Sequence, residues 1–322
     1  MPMGIVRIFL IEAKELMRSD LCDESDAYTV IHLGEQTWRS TTIFNSQNPQ
    51  WNEIFEAAVH EANGQILEIA IYDKDNVKKD DSLGRLCVEL SEVYSEKCID
   101  RWFQLSHAKT GSIHLMMQWF NLKTEAKQIE EMACLNDCIP NKMKGQLSSA
   151  FLLVYLTVIR NEKQKRKTTK DQDLYVEFNA GHKNICRVVS HDFTNPLWYE
   201  AFHFLITDPH TQEVAVKIKD KCGQQKTMYI PLRTFLDAND FTVTRTLHWG
   251  NIGPNNSVNM QFVFRTLAAG FDTNLPHLPS KEKFNSNGKE SSGKNIPMAK
   301  LKSSKRKNTN QNATDNLVEE AD

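Results

Sequence analysis

The sequence has no run of about 18 apolar residues long enough to cross a bilayer as a helix, and no secretory leader, so any membrane contact is expected to be peripheral. It also lacks the sequence devices of most enzymes. There is no glycine-rich phosphate loop, no His-Glu-x-x-His and no nucleophile elbow, and the ten histidines are dispersed. No catalytic activity is expected. The interleaved aromatic and basic residues of single-strand binders are missing too, and the first half is acidic, which argues against nucleic acid as a partner. Cysteine is sparse and irregular. Seven are scattered through 322 residues, an odd number in a chain too long for a disulfide mini-scaffold. A reducing, cytosolic location is expected. Cys134 and Cys138 have no second ligand pair nearby and read as free thiols on a helical linker.

What is present divides into two halves of opposite charge. Residues 1–122 carry 11 Lys and Arg against 19 Asp and Glu, a balance of −8, whereas residues 147–265 carry 15 against 11, a balance of +4. That asymmetry points to different partners for the two halves.

The dominant period is two. Val6, Ile8 and Leu10 alternate with Arg7 and Phe9, and Leu67, Ile69 and Ile71 with Glu68, Ala70 and Tyr72. Ile113, Leu115, Met117 and Trp119 repeat the pattern, as do Leu152, Val154, Leu156 and Val158, and then Val214, Val216 and Ile218. Half-buried antiparallel strands need this spacing, because successive side chains point to opposite faces. Many short strands with polar turns predict an all-β chain of antiparallel sandwiches. The halves also repeat each other. Asn48-Pro49-Gln50-Trp51-Asn52-Glu53 is echoed by Asn195-Pro196-Leu197-Trp198-Tyr199-Glu200, and Asp26 and Asp73 by Asp173 and Asp220, at a separation of about 147 residues. The expected organisation is a first domain over 1–122, a linker over 123–146, a second domain over 147–265, and a disordered polar and basic tail over 266–322. Lys123 to Leu135 could form a short helix in the linker. Trp51, Trp102, Trp119 and Trp198 read as core aromatics.

The residues that carry chemistry are acids in the first half. Asp20 and Asp26 follow the first strand, and Asp73, Asp75, Asp80 and Asp81 follow the strand ending at Tyr72. If the two loops are neighbours, five or six carboxylates converge and repel one another. A hard divalent cation resolves that repulsion, and calcium takes six to eight oxygens in flexible geometry.

At these residues the sequence resembles a known family. Ser25-Asp26-Ala27-Tyr28 is similar to the Ser-Asp-Pro-Tyr of C2 domains. Asn48-Pro49-Gln50-Trp51-Asn52-Glu53 resembles their Asn-Pro-x-Trp-Asn-Glu, and Tyr72-Asp73-Lys74-Asp75 with Asp81-Ser82-Leu83-Gly84 resembles their third calcium loop. The resemblance implies two tandem antiparallel C2-type β-sandwiches, of the strand order called type II. It implies calcium ligands at Asp20, Asp26, Asp73, Asp75 and Asp81, with Asp80 substituting or serving a second ion. Among C2 proteins the sequence looks most like the extended synaptotagmins. Those proteins carry a hydrophobic anchor and a lipid-transfer domain ahead of their C2 domains, and this sequence has neither.

The second half keeps Asp173 and Asp220, but Lys167 and Cys222 stand where Asp20 and Asp75 would, and the loop after Asp220 reads as about five residues shorter. Its calcium site is expected to be degenerate. In the place of acids stand Lys163, Lys165, Arg166 and Lys167, a run suited to an anionic leaflet. The expected function is calcium-dependent docking on anionic phospholipid from the cytosolic side, with Leu21 and Val77 at loop tips inserting among headgroups. The competing readings are a C2 scaffold that binds proteins, and a piece of a lipid-transfer protein at contacts between the endoplasmic reticulum and the plasma membrane.

Overall fold

The structure, a computed structural model, describes residues 1–17, 25–75, 79–159, 174–181, 183–189, 197–220, 225–248 and 257–273. The first half folds as β1 (Gly4–Lys14), β2 (Ala27–Leu33), β3 (Gln36–Arg39), β4 (Gln50–Val59), β5 (Ile66–Asp73), β6 (Asp81–Glu89), α1 (Leu90–Glu96), β7 (Cys98–Gln104) and β8 (Ser112–Lys123). A linker helix, α2 (Lys127–Asp137), follows. The second half repeats the plan with β9 (Ala150–Ile159), β10 (Leu174–Ala180), β11 (Lys183–Val189), β12 (Leu197–Ile206), β13 (Glu213–Asp220), β14 (Gln225–Pro231), α3 (Arg233–Leu236), β15 (Thr242–His248) and β16 (Ser257–Ala269).

Each half is a pair of antiparallel sheets. One sheet of the first half runs β3-β2-β5-β6 and its counterpart β11-β10-β13-β14. The opposing sheets run β7-β8-β1-β4 and β15-β16-β9-β12, so the opening strand of each half lies inside its sheet beside the closing strand. Val6, Ile8 and Leu10 with Ile113, Leu115, Met117 and Trp119 meet Ile31, Leu67, Ile69 and Ile71 in one core. Leu152, Val154, Leu156, Phe262 and Phe264 meet Val176, Phe178, Val214 and Val216 in the other. The period-two residues fill both cores, as non-directional apolar burial demands of a sheet with one inward face.

The outward faces depart from the expected half-buried pattern, because the linker covers them. Strand β1 is buried on both sides from Gly4 to Leu10. Ile139 and Met143 pack on Phe9, Ile11, Ile54 and Met116. Lys144 pairs with β4 as a short parallel ladder: its N–H donates to Asn52 O and its carbonyl accepts from Ile54 N–H, both at 2.7 Å. Gly145 follows with a φ of 150°, and a Cβ there would lie 2.6 Å from Ile54 O, so only glycine lets the chain hug β4 this closely. Under this strap Arg7 is fully buried. Its Nε meets Glu56 Oε1 at 2.7 Å, Nη1 donates to Asn136 Oδ1 at 2.9 Å, and Nη2 donates to Ser148 O at 3.0 Å. Its guanidinium also lies 4.6 Å from the centre of the Phe120 ring. Every face of the buried cation is thereby answered.

The two sandwiches share an edge. Thr266 to Ala269 of β16 pair with Phe120 to Lys123 of β8, and Gly270 N–H donates to Trp119 O at 2.9 Å. Ile5, Phe120, Met132, Leu135, Phe151, Leu153, Val263 and Leu267 form a separate apolar cluster across this junction. In α2 the buried residues Ile129, Met132 and Leu135 lie on one helical face. Residues 266–269, expected to open a disordered tail, instead belong to β16: Thr266 and Leu267 are fully buried because β8 supplies their ladder partners. Residues 274–322 lie outside the described part. Trp102 is a second correction. It is 39% exposed, unlike buried Trp51 and Trp119, because it faces outward on edge strand β7 and stacks on His114 at 5.0 Å. The Trp198 side chain falls outside the described residues. No helix among the described residues is long and apolar enough to cross a membrane.

Candidate functional site: the acidic loop end of the first sandwich

Three connections gather at one end of the first sandwich: those joining β1 to β2, β3 to β4 and β5 to β6. Backbone bonds tie them together. Ala27 and Ile43 exchange two hydrogen bonds of 2.9 Å, Ser46 N–H donates to Ser25 O at 3.0 Å, and Lys74 N–H donates to Asp26 O at 2.9 Å. Ser25 Oγ donates to Met17 O at 3.0 Å and closes the base of the first loop.

The Asn-Pro-x-Trp-Asn-Glu stretch explains itself here as scaffolding. Asn48 Oδ1 accepts from Glu15 N–H at 3.0 Å, where the chain leaves β1 with a φ of 55°. Trp51 fills the core and donates its indole N–H toward Ala27 O at 3.4 Å. The buried Glu53 carboxylate accepts from Thr41 N–H at 3.0 Å and Thr41 Oγ1 at 2.5 Å. Asn48, Trp51 and Glu53 each fasten one segment of this end to another.

The acids stand on this frame. Asp73, the last residue of β5, lies between Ala27 and Asp81 in the ladder. A register shift after Ile71 leaves Leu83 without an opposite number and brings Asp81 across from Asp73. Asp26 donates its backbone N–H to Asp73 Oδ1 at 2.6 Å, and its own Oδ1 accepts from Asn45 N–H at 2.9 Å. Asp26, Asp73 and Asp75 are half-buried and Asp81 is exposed. Asp26, Asp73 and Asp81 thus stand at adjoining strand positions, with Asp75 just past the end of β5, and their side-chain donors are all carboxylate oxygens, the set that suits calcium. As they stand, no three or more His, Cys, Asp or Glu among the described residues are grouped tightly enough to hold an ion. Asp20, Leu21 and Val77 lie outside the described residues, as do Lys163, Lys165, Arg166 and Lys167 of the second half.

Asp80 is differently occupied. Its Oδ2 accepts from the Tyr28 hydroxyl at 2.5 Å and its Oδ1 from Asp75 N–H at 3.0 Å. Those two bonds hold its carboxyl below the usual carboxylate range. Burial, and then the bond to Asp80, push the Tyr28 phenol up to about 12. Tyr28 also stacks on Tyr72 with ring centres 5.6 Å apart, and the Arg39 guanidinium covers it at 3.7 Å. Asp80 therefore laces the β5–β6 loop to β2. The sequence offered no sign of this, since the tyrosine and the acid are 52 residues apart. Phe44 and Lys74 also stand at this end, and the sequence marks neither: the β3–β4 loop that carries Phe44 holds no acid.

In the second half Leu174 faces Asp220 as Ala27 faces Asp73. The connection that follows has four residues, 221–224, against seven, 74–80, in the first half. The shortfall is three residues rather than the expected five, because β14 begins at Gln225.

The family model for the C2 domain matches this chain twice, at residues 4–105 and 152–241. The chain belongs to the C2 family. Its tandem C2 pair is similar to that of the extended synaptotagmins. Extended synaptotagmin-2-A of Xenopus laevis is 33% identical over 295 residues, 83% of this chain and 34% of that protein. Extended synaptotagmin-2 of Homo sapiens is 33% identical over 274 residues, 83% of this chain and 30% of that protein. This C2 chain therefore spans about a third of the length of the curated relatives it matches. A solved, calcium-bound structure of the two tandem C2 domains of extended synaptotagmin 2 superposes with a TM-score of 0.69 at 33% identity, covering 83% of this chain and 98% of that one.

Proposed function

We propose that this C2 pair docks on anionic phospholipid membranes in response to calcium, captured by the first sandwich alone. One observation carries the proposal: Asp26, Asp73 and Asp81 sit on neighbouring strand ends, with Asp26 N–H bonded to Asp73. Asp75 continues the same loop, and Asp20 would complete the set from the β1–β2 loop. The calcium-bound relative supports the reading. Asp80 acts as a fastener of the loop rather than as a ligand, since Tyr28 and Asp75 engage both of its oxygens.

Residues 1–122 carry a balance of −8, which repels an anionic leaflet within a Debye length. Bound calcium would offset that charge and offer open coordination positions to lipid phosphate. Leu21 and Val77 enter the headgroup layer, while Lys163, Lys165, Arg166 and Lys167 of the second half add attraction that needs no calcium, at about 1 kcal/mol each near the surface. Joined domains then bind more tightly than either alone. The expected place of action is the cytosolic face of a membrane, as a peripheral docking or tethering module.

Sedimentation with vesicles of phosphatidylcholine and phosphatidylserine tests this. The chain is expected to pellet with calcium and to lose that response when Asp73→Asn and Asp75→Asn are combined. Equal pelleting of parent and variant would refute the assignment. No pelleting of the parent at any calcium concentration would favour a scaffold that binds proteins.

A further inference from the structure

Phe44 is the most exposed large apolar side chain among the described residues, at 63%. Its position is fixed by the backbone on either side. Ile43 exchanges two bonds with Ala27 and packs its side chain against the first core. Asn45 takes a φ of 54° and donates its N–H to Asp26 Oδ1 at 2.9 Å. These ties hold the backbone on both sides of the exposed ring, one of them through the candidate ligand Asp26.

A cation accompanies it. The Lys74 ammonium lies 5.8 Å from the centre of the Phe44 ring, and Lys74 N–H is itself bonded to Asp26 O. An aromatic ring with an ammonium beside its face matches the layer where acyl chains meet phosphates: the ring leaves water and the charge meets a headgroup.

We propose that Phe44 is a bilayer anchor, which makes the β3–β4 loop a third membrane-contacting loop, with Lys74 serving the anionic headgroup beside it. The inference rests on the docking reading above, because the same acidic end must face the membrane. The occupant is an anionic phospholipid bilayer: the ring and its ammonium are continuous with the proposed docking end, and the positive charge complements phosphate.

The full chain is sedimented with phosphatidylcholine–phosphatidylserine vesicles in calcium. Phe44→Ala is expected to weaken partitioning about tenfold, the ratio for roughly half of a phenylalanine side chain leaving water. Its melting temperature and its calcium titration in solution are expected to match the parent. Phe44→Trp is expected to bind as the parent does, with its emission moving to shorter wavelength on vesicles. Lys74→Gln is expected to lose about fivefold on phosphatidylserine vesicles and little on neutral ones. If Phe44→Ala binds like the parent, or the tryptophan emission is unmoved on bound vesicles, the anchor is overturned. A loss of self-association in Phe44→Ala, with vesicle binding intact, would assign the ring to a second copy and also overturn it. If the parent itself fails to pellet, the docking reading falls first and the anchor with it.

Discussion

The two sandwiches keep one ladder and use it differently. β2, β4 and β5 recur as β10, β12 and β13 at a constant separation of 147 residues, so the strands that build the cores are held in step. At the loop end the first sandwich has a seven-residue β5–β6 connection with Asp75, Asp80 and the flanking Asp73 and Asp81, where the second has four residues and none of these acids after Asp220. On the outward face the divergence is as sharp. Arg7 pairs with Glu56 across β1 and β4, while the matching position in the second sandwich pairs Leu153 with His203. A duplicated sheet tolerates such change because its core depends on the inward residues only. Loops and outer faces are free to take on binding and joining.

The outer-face contrast can be broken by removing the buried cation. Arg7→Ala leaves the buried Glu56 carboxylate without its cation, with Ser148 N–H still on it, and takes the donors from Asn136 Oδ1 and Ser148 O, so a loss of about 3–5 kcal/mol in denaturant unfolding is expected. Replacing both members of the pair by methionine is expected to recover much of that loss, as apolar packing at the matching Leu153 position suggests. A loss below about 1 kcal/mol for Arg7→Ala would mean that the strap over β1 contributes little to holding the halves together.

A smaller effect sharpens the loop-end contrast. Tyr28→Phe removes one hydrogen bond to Asp80 and is expected to cost about 1 kcal/mol near neutral pH. Its pH dependence has a definite sign. The Tyr28 phenol titrates near 12 when folded and near its ordinary value of 10 when unfolded, so its contribution is complete below pH 10 and is lost as pH rises towards 12. The phenolate absorbance should therefore show one late tyrosine in the parent that is absent from Tyr28→Phe. In Asp80→Asn the late step should move to lower pH. If it stays in place, burial alone sets the phenol.

The strands and the duplication were legible in the sequence because both follow from local period. Val6, Ile8 and Leu10 announce an inward face whatever covers the other side. What covers it was not legible: Asn136 and Ser148 meet Arg7 from 129 and 141 residues away. The same holds for Thr266 to Ala269, which lie just ahead of a long polar stretch and whose strand partner, β8, is far off in the sequence. At the candidate site, the two acid-bearing loops after β1 and β5 were legible in the residues, and the proposed ligands Asp26, Asp73, Asp75 and Asp81 came from the family resemblance. The bond that ties Asp80 to Tyr28 was not legible, because it depends on a register shift and a phenol on another strand. Trp102 was misread since hydrophobic size alone does not say which side of an edge strand faces water.

We assign calcium binding to the first sandwich and not to its copy. Calorimetric calcium titration of the full chain, compared with Asp73→Asn and with the matching Asp220→Asn, tests it directly. The expected result is that the binding heat disappears in Asp73→Asn and is unchanged in Asp220→Asn. Heat that survives in Asp73→Asn, or that vanishes in Asp220→Asn, would contradict the account.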